Sequence, residues 1–265
     1  NPIKLIDPDG AYVRGADAWN SLNEQLEYMD ILERGGISYQ GSAVNARSNK
    51  ICKGNILINI QGSGTYFQLD DLQDGNKNWD YVSATGLKDA VPWLGGYLRK
   101  HKLEKFNNVV IISHGNEVAL SLYPTISTKD LELFSEGSLT GAAKSIKSVI
   151  WLASKMSDDE GGAGNLCFFG CKAGASYNGI GSSLANFLFA DQDLNSFNMF
   201  FNTLSTRIYS GEDYNTFKLV WGKPVSIYGR EYLKPGWNLY KKDKSAFINK
   251  DLIINKAGNP FSLSK

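Results

Sequence analysis

The sequence predicts an α/β fold: a three-layer sandwich with a mainly parallel central sheet, helices on both faces, and a small antiparallel β appendage at the C-terminus. Three observations carry that prediction. Residues 56–60 (I-L-I-N-I), 108–112 (N-V-V-I-I) and 165–169 (N-L-C-F-F) are short, nearly continuous apolar runs, the pattern of strands buried on both faces. Segments with apolar residues at helical spacing separate these runs, so strands and helices alternate along the chain. From Trp237 to Phe261, by contrast, apolar and polar residues alternate around Lys and Asn, as they do in an antiparallel ribbon.

Composition bounds the function. The chain has 265 residues and 42% hydrophobic content, enough for a full core without metal or disulfide staples. Its 28 basic and 27 acidic residues leave a net charge of +1. No global field therefore draws it to nucleic acid or to an anionic membrane, and partner choice falls to a local site. No apolar run reaches the length of a membrane span, and the first residues lack a signal-peptide layout, which predicts a soluble piece with Asn1 at a cut boundary. Three cysteines, Cys52, Cys167 and Cys171, make an odd count without framework spacing. That disfavours a disulfide scaffold and leaves at least one thiol free.

Taken in order, residues 1–10 (N-P-I-K-L-I-D-P-D-G) are an extended segment and a turn at Asp9-Gly10. Asp17 can cap a helix in which Trp19, Leu22, Leu26 and Met29 recur at helical spacing before Gly35-Gly36 stops it. Residues 38–55 are polar and read as a loop into the first strand, 56–60. That strand ends at Gln61-Gly62-Ser63-Gly64, a loop at the carboxyl end of a strand, where open α/β sheets place their sites. No dinucleotide or P-loop fingerprint occurs in the chain. Residues 70–79 read as a surface loop whose acids miss the EF-hand spacing, because Leu72 occupies a ligand position. Leu87, Val91, Leu94 and Leu98 define a helix over 87–100, with Pro92 tolerable only near its first turn. After the strand at 108–112, residues 118–122 read as another short strand. Residues 140–156 read as a helix with Ile146, Val149, Ile150 and Ala153 on one face, ended by 158–164 (D-D-E-G-G-A-G). The strand at 165–169 leads through a glycine-rich turn to a helix with Ile180, Leu184, Phe187 and Leu188 on one face. Residues 198–204, 217–221 and 225–228 read as further strands.

Two of these strands end on reactive side chains. Residues 108–115 continue as N-V-V-I-I-S-H-G, and 165–174 as N-L-C-F-F-G-C-K-A-G. In a parallel sheet His114 and Cys171 emerge at the same edge. A cysteine nucleophile needs a base that raises its thiolate fraction and two N–H groups aimed at the oxyanion of the tetrahedral intermediate. His114 can be the base, Cys171 the nucleophile, and the backbone N–H groups of Gly115 and Cys171 the oxyanion hole. If the following helix begins near the thiol, its positive end adds to the activation. Plainer roles compete: a histidine in a polar turn is commonly structural, and a cysteine after an apolar strand is commonly a small core residue. Cys167 fits that plain role, Cys52 lies in a polar loop, and His101 beside Lys100 and Lys102 complements a helix end. Ser113 and Ser176 lack a nucleophile-elbow motif, and two distant histidines with an unpaired cysteine give no zinc spacing. No metal or cofactor is expected.

His114 and Cys171 stand 57 positions apart, histidine first, close to the roughly fifty residues between caspase histidine and cysteine. With that order and spacing, residues 56–204 resemble the caspase-like superfamily of caspases, metacaspases, clostripain and gingipain relatives and bacterial CHAT domains. The resemblance implies a caspase-like cysteine endopeptidase over residues 37–235, with His114 and Cys171 as its dyad and Gly115 and Cys171 as oxyanion donors. The nucleophile context Phe169-Gly170-Cys171-Lys172-Ala173-Gly174 is closer to the bacterial Gly-Cys-x-x-Gly type than to the caspase Gln-Ala-Cys-Arg-Gly. Metacaspases carry an acid two residues before the cysteine, and Phe169 stands there, so cleavage after Arg or Lys is not implied. Asp70, Asp71, Glu212 and Asp213 could line an acidic substrate pocket, though each also reads as an ordinary surface acid.

Residues 1–10 resemble the N-P-x-x-x-x-D-P-D-G sequence that closes the Rhs core in bacterial polymorphic toxins. That resemblance implies a junction over residues 1–16, which the helix read from periodicity over 17–36 follows. It further implies a secreted effector module acting on protein or peptide in a reducing target-cell cytoplasm, with a cognate immunity protein; residues 236–265 form the C-terminal β extension. Two other readings stay open: a non-catalytic caspase-like binding module, and a toxin of another activity such as a nuclease.

Overall fold

Five parallel strands form the centre of the molecule. The structure is a computed structural model, and the residues it describes are 5–6, 12–13, 45–47, 54–60, 79–157, 163–191, 193–194, 196–203, 206–210, 216–221, 236–242, 244–248, 252–255 and 262–263. In chain order the strands are β1 (Leu5–Ile6), β2 (Tyr12–Val13), β3 (Asn45–Arg47), β4 (Asn55–Ile60), β5 (Asp80–Ala84), β6 (Asn108–Ile112), β7 (Ala119–Leu120), β8 (Ile126–Ser127), β9 (Asn165–Phe169), β10 (Asn198–Asn202), β11 (Thr206–Ser210), β12 (Thr216–Trp221), β13 (Trp237–Lys241), β14 (Lys244–Ile248), β15 (Leu252–Asn255) and β16 (Ser262–Leu263). The described helices are α1 (Leu87–His101), α2 (Thr128–Ser135), α3 (Ala143–Ser154) and α4 (Ile180–Phe189).

The main sheet runs β14-β13-β10-β9-β6-β4-β5-β3, eight strands in all. Its members from β10 to β5 are parallel, and β3, β13 and β14 are antiparallel edges. From β5 onward the chain crosses β4 to β6, then adds β9 and β10 successively on the same side. Right-handed crossovers in one direction put their helices on one face. Accordingly α1 packs on α3, α3 on α2, and α2 on α4. The apolar stripes of these helices join Ile56, Ile58, Val109, Ile111, Leu166 and Phe168 in one core. The alternate strand residues Leu57, Val110, Ile112, Cys167 and Phe169 point to the opposite face and are buried as well, which is why these strands read as continuous apolar runs. The helix expected within 17–36 and the strand expected at 225–228 lie outside the described residues.

A row of asparagines fixes the register. Asn55, Asn108, Asn165 and Asn198 are the first residues of β4, β6, β9 and β10 and stand opposite one another across the sheet. Asn198 Nδ2 donates to Asn165 Oδ1 at 2.9 Å, Asn165 Nδ2 to Asn108 Oδ1 at 2.7 Å, and Asn108 Nδ2 to Asn55 Oδ1 at 2.7 Å. A slip of any strand by one residue would break this row and reverse its buried faces.

Several elements depart from expectation. β5 was not foreseen, because D-Y-V-S-A breaks the apolar run with Asp80 and Ser83; both are buried, and Ser83 Oγ accepts from Asn59 Nδ2 at 3.1 Å. β3 falls within the stretch read as loop. α3 begins at Ala143, not at residue 140, since Thr140 Oγ1 instead accepts from Ala142 N–H at 3.2 Å as a local cap. Pro92 sits in the second turn of α1, where it withholds the donor that Lys88 C=O would otherwise receive. The strands of 236–265 divide: β13 and β14 extend the main sheet, whereas β15 and β16 join β11 and β12 in a separate four-stranded antiparallel sheet.

Candidate active site

β6 and β9 are parallel neighbours with Ile112 opposite Phe169, and both strands end there. Ser113 N–H still donates to Phe169 C=O at 3.2 Å, so pairing continues past the strand end. His114 and Cys171 each follow two residues beyond these strand ends, at the carboxyl edge of the sheet.

Glycines let these two chain ends touch. A Cβ on Gly115 would lie 3.2 Å from Gly170 Cα, and a Cβ on Gly170 would lie 2.8 Å from Leu120 Cδ2. Leu120 is fully buried and packs over both positions. It returns there through a tight hairpin in which Gly115 and Leu120 bridge: Asn116 N–H donates to Ala119 C=O and Ser121 N–H to His114 C=O, each at 2.9 Å. Asn116 Oδ1 accepts from the N–H groups of Val118 at 2.9 Å and Ala119 at 3.0 Å, which closes the loop.

In this bridge the bonds flank Gly115, so its own N–H points away from the hairpin. The Cys171 N–H lies at the start of the turn that follows β9. Among the described residues neither N–H has an acceptor. Beyond Cys171, Ala173 N–H donates to Gly170 C=O at 3.2 Å, closing a turn with Lys172 at φ 57°. A lysine in the left-handed region is strained by about 1–3 kcal/mol, and here its neighbours hold it. Gly174 N–H donates to Asn202 C=O at 2.7 Å, and Asn238 Nδ2 donates to Gly174 C=O at 2.6 Å, pinning the cysteine loop to β10 and β13.

α4 starts nine residues beyond Cys171. Its first donors, Ile180 N–H and Gly181 N–H, are taken by Glu117 C=O at 2.8 Å and Ala173 C=O at 3.0 Å. The helix end thus ties the histidine loop to the cysteine loop, and these donors do not address the thiol. His114 is exposed and Cys171 is a half-buried free thiol. Among the described residues no hydrogen bond joins their side chains. Cys167 contrasts with them: it is fully buried in β9, and burial pushes its thiol well above the ordinary range, which leaves it inert.

No family model, curated protein or solved structure matches this chain.

The candidate site therefore rests on its own geometry. Gly115 meets Gly170, which brings the loops bearing His114 and Cys171 together, whereas Asp70, Asp71, Glu212 and Asp213 lie outside the described residues. His101 stacks on Tyr97, with ring centroids 4.4 Å apart, in the basic last turn of α1. Among the described residues no cluster of three or more His, Cys, Asp or Glu could hold a metal ion, and no helix is long and apolar enough to cross a membrane. Sequence reasoning missed Asn116 and Leu120. The Asn-Glu-Val turn after His-Gly signals the first; nothing in the sequence signals that Leu120 covers two glycines from different strands.

Proposed function

We propose that the chain is a cysteine endopeptidase of the caspase-like type, built as a three-layer sandwich, with His114 and Cys171 as its dyad. The observation that supports this reading is the pairing of β6 with β9 and the contact of Gly115 with Gly170, which bring the histidine and cysteine loops to one sheet edge, where the N–H groups of Gly115 and Cys171 have no acceptor among the described residues. In the reaction His114 takes the thiol proton and the Cys171 sulfur forms a bond to the scissile carbonyl carbon. Gly115 N–H and Cys171 N–H bind the oxyanion. Collapse of the tetrahedral intermediate breaks the C–N bond, with His114 returning its proton to the leaving amine. Water activated by His114 then hydrolyses the acyl-thioester and restores the thiol.

The first ten residues favour deployment of this activity as the toxin module of an Rhs-type effector, restrained by an immunity protein. Expression in a bacterial cytoplasm without that partner is expected to arrest growth. Cys171→Ala and His114→Ala should each lower peptide cleavage by about 10³-fold or more and abolish toxicity at unchanged melting temperature. Full activity in either variant refutes the dyad. The exposure of His114 and the absence of a bond to Cys171 favour a second reading, a non-catalytic binding module of the same fold. A thiol-reactive peptide probe separates the two: the peptidase is labelled at Cys171 and loses labelling in His114→Ala, whereas a binding module shows only the slow reaction of an ordinary half-buried thiol.

A further inference from the structure

Four large hydrophobic side chains are exposed among the described residues: Val118, Tyr123, Leu139 and Tyr177. Two of them, Val118 at 55% exposure and Tyr177 at 93%, stand on the loops that carry His114 and Cys171. Both loops are held by backbone bonds. Besides the bond from Ile180 N–H to Glu117 C=O, Val118 C=O accepts from Thr128 N–H at 3.1 Å, and Gly179 N–H donates to Ser176 C=O at 3.1 Å. A Cβ on Gly179 would meet Glu117 O at 2.6 Å. The two backbones therefore touch one residue before Val118 and two residues after Tyr177. The two exposed side chains thus stand on adjoining loops with fixed backbones, and tyrosine is among the side chains most used in recognition.

The charges on the same rim are balanced. Glu117 on one loop and Lys172 on the other are both exposed, so the rim offers no net field for an acidic or a basic side chain. Phe169, two residues before Cys171, is buried and stacks on Trp237 at a centroid distance of 6.4 Å. Discrimination at this rim falls to apolar contact.

Resting on the peptidase reading, we propose that Val118 and Tyr177 select polypeptide substrates that carry an apolar side chain near the scissile bond.

The test uses matched fluorogenic peptides with Leu, Phe, Asp or Lys at each of the positions flanking one cleavable bond, with wild type, Val118→Ser, Tyr177→Ser and Cys171→Ala. Both rim residues are exposed, so equal melting temperatures are expected. Wild type should favour Leu and Phe at one flanking position by about tenfold in kcat/KM, and either serine variant should remove that preference while cleavage of the other peptides persists. Cleavage by wild type with the preference unaltered in the serine variants overturns the recognition inference and leaves the peptidase reading standing. If wild type cleaves nothing, fluorescence polarisation of the Leu and Phe peptides with Cys171→Ala decides. Binding lost on adding Tyr177→Ser keeps the recognition surface and rejects the peptidase reading; no binding overturns both.

Discussion

Gly115 and Gly170 do more at the site than leave N–H groups uncovered. Each is the point at which one chain end rests on the other, with Leu120 closing over both. Gly170→Ala inserts a methyl group 2.8 Å from Leu120 Cδ2. Overpacking of that kind costs about 1–3 kcal/mol, and it should also lower kcat by displacing the thiol from His114. Gly141→Ala is the matched control, because a Cβ there meets nothing within 4 Å. Urea unfolding and steady-state kinetics on both variants check this; equal behaviour would remove the packing role assigned to Gly170. At this scale the sequence was informative about chemistry and silent about contact. The identities His114, Gly115 and Cys171 suggest the proposed base, donor and nucleophile, but the meeting of Gly115 with Gly170 depends on strand order, which a single sequence does not encode locally.

Among the elements, the asparagine row is the feature that strand-by-strand reading overlooks. Each of four strands opens with an asparagine directly before its apolar run, a repeated signal whose meaning appears only when the strands lie side by side. Asn108 and Asn165 each donate one amide bond and accept another, whereas Asn198 donates but its buried Oδ1 accepts none among the described residues. Asn108→Ala and Asn165→Ala should therefore each cost about 1–3 kcal/mol, and Asn198→Ala less, as read from urea midpoints at constant slope; a reversed order would contradict the row as drawn. α2 supplies a second element-level prediction. Burial raises the Asp130 carboxyl, but hydrogen bonds from Ser127 Oγ, Thr140 Oγ1 and Ser127 N–H outweigh it, with help from Lys129, and hold it below its usual value. A depressed folded-state pKa adds stability above the unfolded carboxyl range and loses it as pH falls through the folded value. Asp130→Asn should thus be less stable than wild type at neutral pH, with the gap closing below about pH 4; thermal melts across that range provide the check.

For the molecule as a whole, the α/β class was legible because helical stripes such as Leu87, Val91, Leu94 and Leu98 alternate with doubly buried strands. β5 escaped because Asp80 and Ser83 hide a buried strand behind polar letters, and β15 and β16 were grouped with β13 and β14 because local alternation does not reveal which sheet a strand joins. The asparagine row also gives the sheet a direction. At its amino edge, side-chain amides extend the backbone ladder, so hydrogen-bonding capacity there is close to saturated. At its carboxyl edge, the loops that follow β6 and β9 leave the N–H groups of Gly115 and Cys171 without an acceptor among the described residues. The same parallel strands thus serve as an anchored floor at one end and an unfinished roof at the other, and under the proposed chemistry a carbonyl oxygen arriving from outside would complete the bonding that the chain leaves undone.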